Sequence, residues 1–271
     1  MTERVPARVP ELAPETGLDW VSQDASLGAS ADLDYGITLL RAVQSGVLTG
    51  PLVRIYRPRP TVAFGQRDVR QDGFEQAWQA CLDHGFEPVV RRAGGRAAAY
   101  HHGSLVVDHL EPDADAMQGF RDRFAGFGER FAQVFRDAQV PAAVGEIPGE
   151  YCAGEFSVHT PLPPLADGTP RGPVKLVGTA QRVVKGAWLF SSSIVVEQPE
   201  PVRAVLVDVY RALGLDWNPG TAGAATDAAP GITVESYAGR LRAAYAEAHG
   251  SLVDRSWTDL VDAVPPQGRA G

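Results

Sequence analysis

The sequence has few cysteines, no long apolar run and no excess of basic residues, and each shortage excludes a class of protein. Two cysteines in 271 residues are too few for a disulfide-stabilised scaffold. No segment approaches the roughly 18 consecutive apolar residues of a membrane-spanning helix, so no membrane association is expected. The net charge of −8 argues against nucleic acid as a partner. The remaining expectation is an ordinary globular protein.

The N-terminal stretch MTERVPARVPELAPETG is rich in proline and lacks the apolar segment of a secretory signal. This predicts a cytoplasmic location, where thiols stay reduced. Cys81 and Cys152 are then expected to be free thiols and not a disulfide pair.

Apolar periodicity predicts a mixed domain. Helical spacing recurs over 33–46, 73–85, 113–138, 201–213 and 234–249. Strand patterns lie between these segments, including a β-hairpin that turns at Lys185-Gly186. Because no strict βαβ rhythm is present, we expect the α+β class, with a mixed, largely antiparallel β-sheet flanked by helices. The predicted organisation is an irregular segment over 1–31, one domain over 32–250 and a tail over 251–271.

The two cysteines have different surroundings. Cys81 shares one face of a predicted helix with Phe74, Ala77 and Leu82, which is typical of a buried core residue. Cys152 lies in EIPGEYCAGEFSVH, where Ala-Gly follows it instead of an apolar run. From the residues alone, Cys152 is either a packing residue or a nucleophile on a loop.

The segment RRAGGRAAAYHHGSL contains a glycine pair between two predicted strands. Gly94-Gly95 allows the backbone to approach a ligand closely and to adopt positive φ. Arg91, Arg92 and Arg96 place cationic donors around this turn. The lysine and the spacing of a phosphate-binding loop are missing. A plain hairpin turn with solvated arginines stays open as the alternative.

Lys175 lies in a strand pattern with apolar neighbours, VKLVG. Pleat alternation would direct it to solvent in the simplest case. The alternative is an ammonium group in a pocket, where it stabilises a thiolate or an oxyanion. His101 and His102 are further candidates for acid–base chemistry.

Four segments resemble, in order, the lipoate–protein ligase and octanoyltransferase family: TVAFGQ, RRAGGRAAAYHHGSL, EYCAGEFSV and VKLVGTAQRVVKGAWLFSSSIVV. The resemblance covers roughly residues 33–213 and implies a biotin/lipoate protein ligase-like fold. The Tyr-Cys-x-Gly loop is most similar to the cysteine-dependent amidotransferase branch, which moves octanoyl or lipoyl groups between carrier domains.

The resemblance implies specific roles. Cys152 and Lys175 would be catalytic, with the acyl group held as a thioester on Cys152. No metal site and no cofactor are expected. Implied protein partners are lipoyl-domain proteins, such as the glycine-cleavage H protein or 2-oxoacid dehydrogenase E2, and acyl carrier protein is a further candidate. The implied substrate-binding residues are Arg92, Gly94, Gly95, Arg96, Tyr100, His101, Gly178 and Gln181.

Three alternatives remain open. An ATP-dependent lipoate–protein ligase would use ATP and Mg²⁺. Its pattern has a third glycine and a His-Asp pair, where this chain has Arg96 and His102. A biotin ligase fits less well, because the Gly-Arg-Gly-Arg pattern is missing. A non-catalytic protein that binds carrier domains could use the same fold.

Overall fold

A computed structural model describes residues 17–92 and 94–266 of the chain. The helices are α1 (Ala29–Gln44), α2 (Phe74–Asp83), α3 (Phe120–Asp137), α4 (Pro199–Ala212), α5 (Val234–His249) and α6 (Trp257–Ala263). The strands are β1 (Leu18–Ser22), β2 (Leu52–Tyr56), β3 (Thr61–Phe64), β4 (Glu87–Val90), β5 (Ala98–Tyr100), β6 (Ser104–Pro112), β7 (Ala143–Val144), β8 (Val158–Thr160), β9 (Val174–Val184), β10 (Ala187–Val195) and β11 (Leu252–Asp254).

The larger sheet has the order β11-β1-β2-β6-β10-β9-β8-β7 within the described residues. The pairs from β2 to β7 are antiparallel, whereas β1 is parallel to both of its neighbours. The predicted α+β class with a mixed, largely antiparallel sheet is therefore confirmed. The β9–β10 hairpin turns at Lys185-Gly186 as predicted, and it forms the centre of the sheet together with β6.

Helices cover both faces of this sheet, because side chains of successive strand residues point to opposite sides. Leu110 and Leu189 pack with residues of α1 on one face. Trp188 and Val107 pack with the aromatic residues of α3 and α5 on the other.

A smaller sheet with the order β4-β3-β5 lies beside the larger one in the described part of the chain. Helices α2 and α4 pack together against it. Cys81 is fully buried in this cluster, which confirms its prediction as a core residue. The glycine turn connects β4 to β5. Both strands pair with β3 and not with each other, so this turn is not a hairpin.

The predicted end segments contain regular structure, and the sequence prediction was wrong on this point. Leu18–Ser22, within the segment expected to be irregular, forms β1. Leu252–Asp254, within the expected tail, pairs with β1 and is followed by α6. Strands of three to five residues show no readable periodicity, and their partners lie far away in the chain. Residues 1–16 and 267–271 of these segments lie outside the described residues.

Two helix predictions are also corrected. The helix expected from residue 113 begins at Phe120, because Gly119 adopts a left-handed φ of 66° and the preceding residues form turns. Leu82, expected on the buried face of α2, is 49% exposed.

No helix among the described residues has the length and apolar character needed to cross a membrane.

A buried ionisable group lies on β6. His109 and Glu111 are both buried, with His109 Nε2 2.9 Å from Glu111 Oε1. Burial raises the pKa of Glu111 to about 7 from a reference value of 4.5. A carboxyl group whose pKa is higher in the folded state contributes stability at low pH. That contribution is lost as the pH rises from the unfolded pKa through the folded pKa.

Glu111→Gln should therefore become more stable relative to wild type as the pH rises. The difference in free energy of unfolding should widen by about 2 kcal/mol between about pH 5.5 and about pH 8. Urea unfolding at both pH values measures it. Glu247→Gln, at an exposed position of α5, is the matched control and should show no such change. A pH-independent difference for Glu111→Gln would contradict the prediction.

Candidate active site

A cavity of about 380 Å³ lies between α1, the glycine turn, the loop that contains Cys152 and the β9–β10 hairpin. This volume falls within the usual range of small-molecule sites, about 300–1,000 Å³. Apolar and aromatic side chains form much of its wall, including Leu33, Ile37, Val106, Phe120, Phe124, Phe156 and Leu189. An apolar ligand would bury apolar surface here.

Cys152 lines the cavity on a constrained loop. Its φ is 43°, a left-handed conformation that is uncommon for a residue with a Cβ atom. The backbone N–H of Cys152 donates to Tyr210 Oη at 2.8 Å, and that hydroxyl donates to Ala97 O at 2.9 Å. Tyr210, on α4, thus joins the cysteine loop to the glycine turn. Backbone strain held in this way is characteristic of functional sites.

The Cys152 thiol contacts the glycine turn directly. Arg96 N lies 3.3 Å from Sγ, and Arg91 Nη2 lies 3.4 Å from it. Arg91 Nη2 also donates to Arg96 O at 2.7 Å, which closes the turn around the sulfur. The Arg96 side chain points elsewhere and forms an ion pair with buried Asp68 at 3.1 Å.

The close approach of the glycine turn to the Cys152 sulfur requires a glycine at position 95. Its φ is 101°, and a Cβ atom there would lie 2.5 Å from Arg91 Nη2 and 2.8 Å from Cys152 Sγ. Both distances are too short for any side chain. A Cβ on Gly65, in the facing segment, would lie 1.9 Å from Gly95 O. The turn is therefore packed between its neighbours at positions where only glycine fits.

Gly95→Val should displace the thiol and lower the rate of the Cys152 acylation that the family resemblance implies by about 10²-fold, since small errors in the position of a reacting group have effects of this size. Mass spectrometry of the acyl adduct over time measures the rate. Gly94→Ala is the matched comparison and should cost far less, because a Cβ at Gly94 meets no atom within 4 Å. Equal losses of rate in the two variants would contradict the inference that the missing side chain of Gly95 is needed to position the thiol.

Lys175 is buried beneath the cysteine loop, so the alternative of a solvent-facing lysine is wrong. Its ammonium forms an ion pair with Glu150 Oε2 at 2.8 Å. It also donates to the carbonyl oxygens of Tyr151 at 3.1 Å and Cys152 at 2.9 Å. The loop folds over β9 and supplies two carbonyl acceptors and a carboxylate, which the strand pattern could not reveal.

Glu150 organises the same loop from the other side. Its Oε1 accepts hydrogen bonds from Ile147 N, Gly154 N and Ser157 Oγ at 3.1 to 3.3 Å. Its side chain is fully buried, as is the ammonium that it faces. Glu150 and Lys175 together form a buried ion pair that holds the backbone on both sides of Cys152.

The structure brings most of the predicted site residues together. Those that line the cavity are Arg92, Gly94, Gly95, Tyr100, Cys152, Lys175 and Gly178. Arg96 adjoins them through its backbone N–H. The hydroxyl of Tyr100 is buried and has no hydrogen-bond partner among the described residues.

Two predicted substrate-binding residues do not line the cavity. His101 is buried, its Nδ1 accepts from Gly103 N at 2.7 Å, and its Nε2 lies 2.9 Å from Gln198 O. Burial also lowers the pKa of His101. Gln181 Oε1 accepts from Arg123 Nε at 2.9 Å. Both side chains are engaged in contacts that support the fold.

Sequence reasoning missed four contributors: Arg91 as a contact of the thiol, and Glu150, Asp68 and Tyr210 as supports. Arg91 was visible as part of the arginine cluster, and Glu150 as a neighbour of Cys152. No local sequence pattern identifies Asp68 or Tyr210 as a support of the site. Within residues 17–92 and 94–266, no three His, Cys, Asp or Glu side chains gather in a way that could hold a metal ion.

The fold is shared with solved lipoate–protein ligases. Lipoate-protein ligase A bound with ATP has a TM-score of 0.66 at 15% identity, over 92% of both chains. A structure described as a bipartite lipoate protein ligase and its E2 lipoyl domain from Thermoplasma acidophilum has a TM-score of 0.67 at 17% identity, over 92% of this chain and 91% of that one. The chain belongs to the lipoyl protein ligase A/B catalytic domain family, whose model matches residues 32–209.

Curated relatives carry a more specific name. A protein from an Exiguobacterium strain is 26% identical over 59% of this chain and 54% of its own length. A protein from Anoxybacillus flavithermus is 25% identical over 62% of this chain and 56% of its own. Both are named octanoyl-[GcvH]:protein N-octanoyltransferase. The chain thus matches about half the length of these relatives.

Proposed function

We propose that this protein is a cysteine-dependent acyltransferase that moves an octanoyl or lipoyl group through a Cys152 thioester to a lysine of a lipoyl domain. The observation that carries the proposal is the Cys152 thiol, which lines an apolar cavity and receives hydrogen bonds from two N–H groups. The names of the curated relatives support transfer of an octanoyl group to a protein.

In the first step, Sγ of Cys152 attacks the acyl carbonyl carbon of the donor. The bond from that carbon to the nitrogen or sulfur of the donor breaks, and the leaving atom takes the proton that the thiol gives up. In the second step, a lysine amine of the acceptor attacks the thioester. The carbon–sulfur bond breaks, an amide forms, and a proton from the amine restores the thiol. A covalent relay of this kind needs no ATP.

The cavity supplies binding energy for this chemistry. An eight-carbon chain buried against apolar walls gains about 0.8 kcal/mol per methylene, or roughly 5–6 kcal/mol before entropic costs. Part of that energy can hold the carbonyl carbon against the sulfur. We expect donors and acceptors among lipoyl-domain proteins in the cytoplasm, with the glycine-cleavage H protein as the first candidate donor, since the relatives' names specify GcvH. E2 lipoyl domains are candidate acceptors, and acyl carrier protein is a second candidate donor.

The test is intact-mass analysis after incubation with octanoylated H protein, with and without ATP and Mg²⁺. The proposal expects one octanoyl group on this protein without ATP, removable by hydroxylamine, and its transfer to an added lipoyl domain. The ligase alternative instead requires ATP, Mg²⁺ and free octanoate or lipoate for any acylation of the lipoyl domain. A carrier-domain binder would form a complex and show no adduct under either condition.

A further inference from the structure

Two cationic side chains lie beside Cys152, and the structure gives them different surroundings. An ammonium group has three N–H donors. The Lys175 ammonium donates to the carbonyl oxygens of Tyr151 and Cys152 and forms an ion pair with Glu150. The positive charge of Lys175 is therefore paired with a buried carboxylate, and its polar contacts are with the loop backbone and not with the thiol.

Arg91 contacts the sulfur itself. Its Nη2 lies 3.4 Å from Cys152 Sγ, and Arg96 N approaches the same sulfur at 3.3 Å. The Nε of Arg91 is buried and has no hydrogen-bond partner among the described residues. The side chain of Arg96 does not contact the sulfur, because its charge is paired with Asp68. Arg91 thus supplies the cationic group in contact with the sulfur.

We propose that the Arg91 guanidinium and the Arg96 backbone N–H form the anion site of the Cys152 thiolate, while Lys175 positions the loop. The inference rests on the proposed nucleophilic role of Cys152. A guanidinium stays protonated throughout the physiological pH range, so its charge is always present beside the sulfur. Two N–H groups directed at one atom hold an anion where it forms, with no need to reorganise during the reaction.

The charge beside the sulfur can be measured without any acyl donor, by comparing the rates at which iodoacetate and iodoacetamide alkylate Cys152. The two reagents differ in charge, so their rate ratio reports the local field. A neighbouring cation should raise the iodoacetate-to-iodoacetamide ratio at Cys152 about fivefold over that of glutathione, the size expected for one unit charge a few ångströms away in a wet site. Peptide mapping assigns the adduct to Cys152.

Arg91→Gln should lose this preference and slow alkylation by both reagents, whereas Arg91→Lys should keep the preference. The double variant Lys175→Met/Glu150→Gln removes a net-neutral pair, so its loss of preference should be smaller than in Arg91→Gln and should reflect only the lost carbonyl contacts of the loop. Arg70→Gln removes the same charge from an exposed position and serves as the control. Thermal unfolding checks that each variant is folded.

Two results would overturn the proposal: no preference in the wild type, or a preserved preference in Arg91→Gln. If Arg91→Gln does not fold, Arg91→Met takes its place with the same expected loss of preference, and a wild-type ratio equal to that of glutathione rejects the proposal in either case. Alkylation requires no acyl group, so an absent octanoyl adduct together with an Arg91-dependent preference would reject the proposed function and keep the anion site.

Discussion

Cys152→Ser should reduce the proposed octanoyl transfer by at least about 10⁴-fold, because an enzyme that loses its nucleophile keeps only the residual catalysis of its binding site. A serine hydroxyl is far less nucleophilic than a thiol near neutral pH, and the structure shows two N–H donors at the sulfur but no general base in contact with it among the described residues. Intact mass and transfer to an added lipoyl domain measure the loss. The adduct in the wild type should map to the peptide that contains Cys152.

Cys81→Ser is the matched control and should leave transfer largely intact. Cys81 is fully buried and donates from Sγ to Ala77 O at 3.1 Å, a contact that a hydroxyl can also make. Burial raises the pKa of the Cys81 thiol to about 12, so it does not form a thiolate near neutral pH. Equal loss in both variants would show that the cysteines act through stability, and the Cys152 thioester would be rejected.

Lys175→Met should destabilise the fold by about 3–5 kcal/mol and impair acylation at the same time. The substitution leaves the Glu150 carboxylate buried without its counter-charge, and a lone buried charge is far more costly than the pair. It also frees the carbonyl oxygens of Tyr151 and Cys152, so the cysteine loop loses its anchor. Urea unfolding measures the first effect and the rate of octanoyl adduct formation the second.

Adding Glu150→Gln to Lys175→Met should recover most of the stability but not the acylation rate, since the carbonyl contacts stay lost. The chain has only one other lysine, Lys185, which is exposed at the hairpin turn. Lys185→Met should change the free energy of unfolding by no more than about 0.5 kcal/mol, as is usual for surface substitutions. A Lys175→Met variant as stable as Lys185→Met would contradict the inference that Lys175 neutralises a buried charge on Glu150.

The central part of the fold could be predicted because its signals are local. The strands Leu52–Tyr56 and Thr61–Phe64 and the hairpin turn at Lys185-Gly186 follow from apolar patterns and turn residues within a few positions of each other. The end strands could not be predicted, because β1 and β11 are short and stable only through their pairing across the length of the chain.

The same division holds for the site. The sequence by itself determined which residues are candidates for the chemistry: a cysteine in a loop context, a glycine pair with arginines, and a lysine in an apolar strand. Only the tertiary structure decided which of them touch. The Arg96 amide reaches a sulfur 56 positions away, and the loop folds back so that Lys175 meets Glu150. The sequence gives the type of each side chain. Contacts between residues so far apart in the chain depend on how the loop and the turn pack together, and no local sequence pattern predicts that packing.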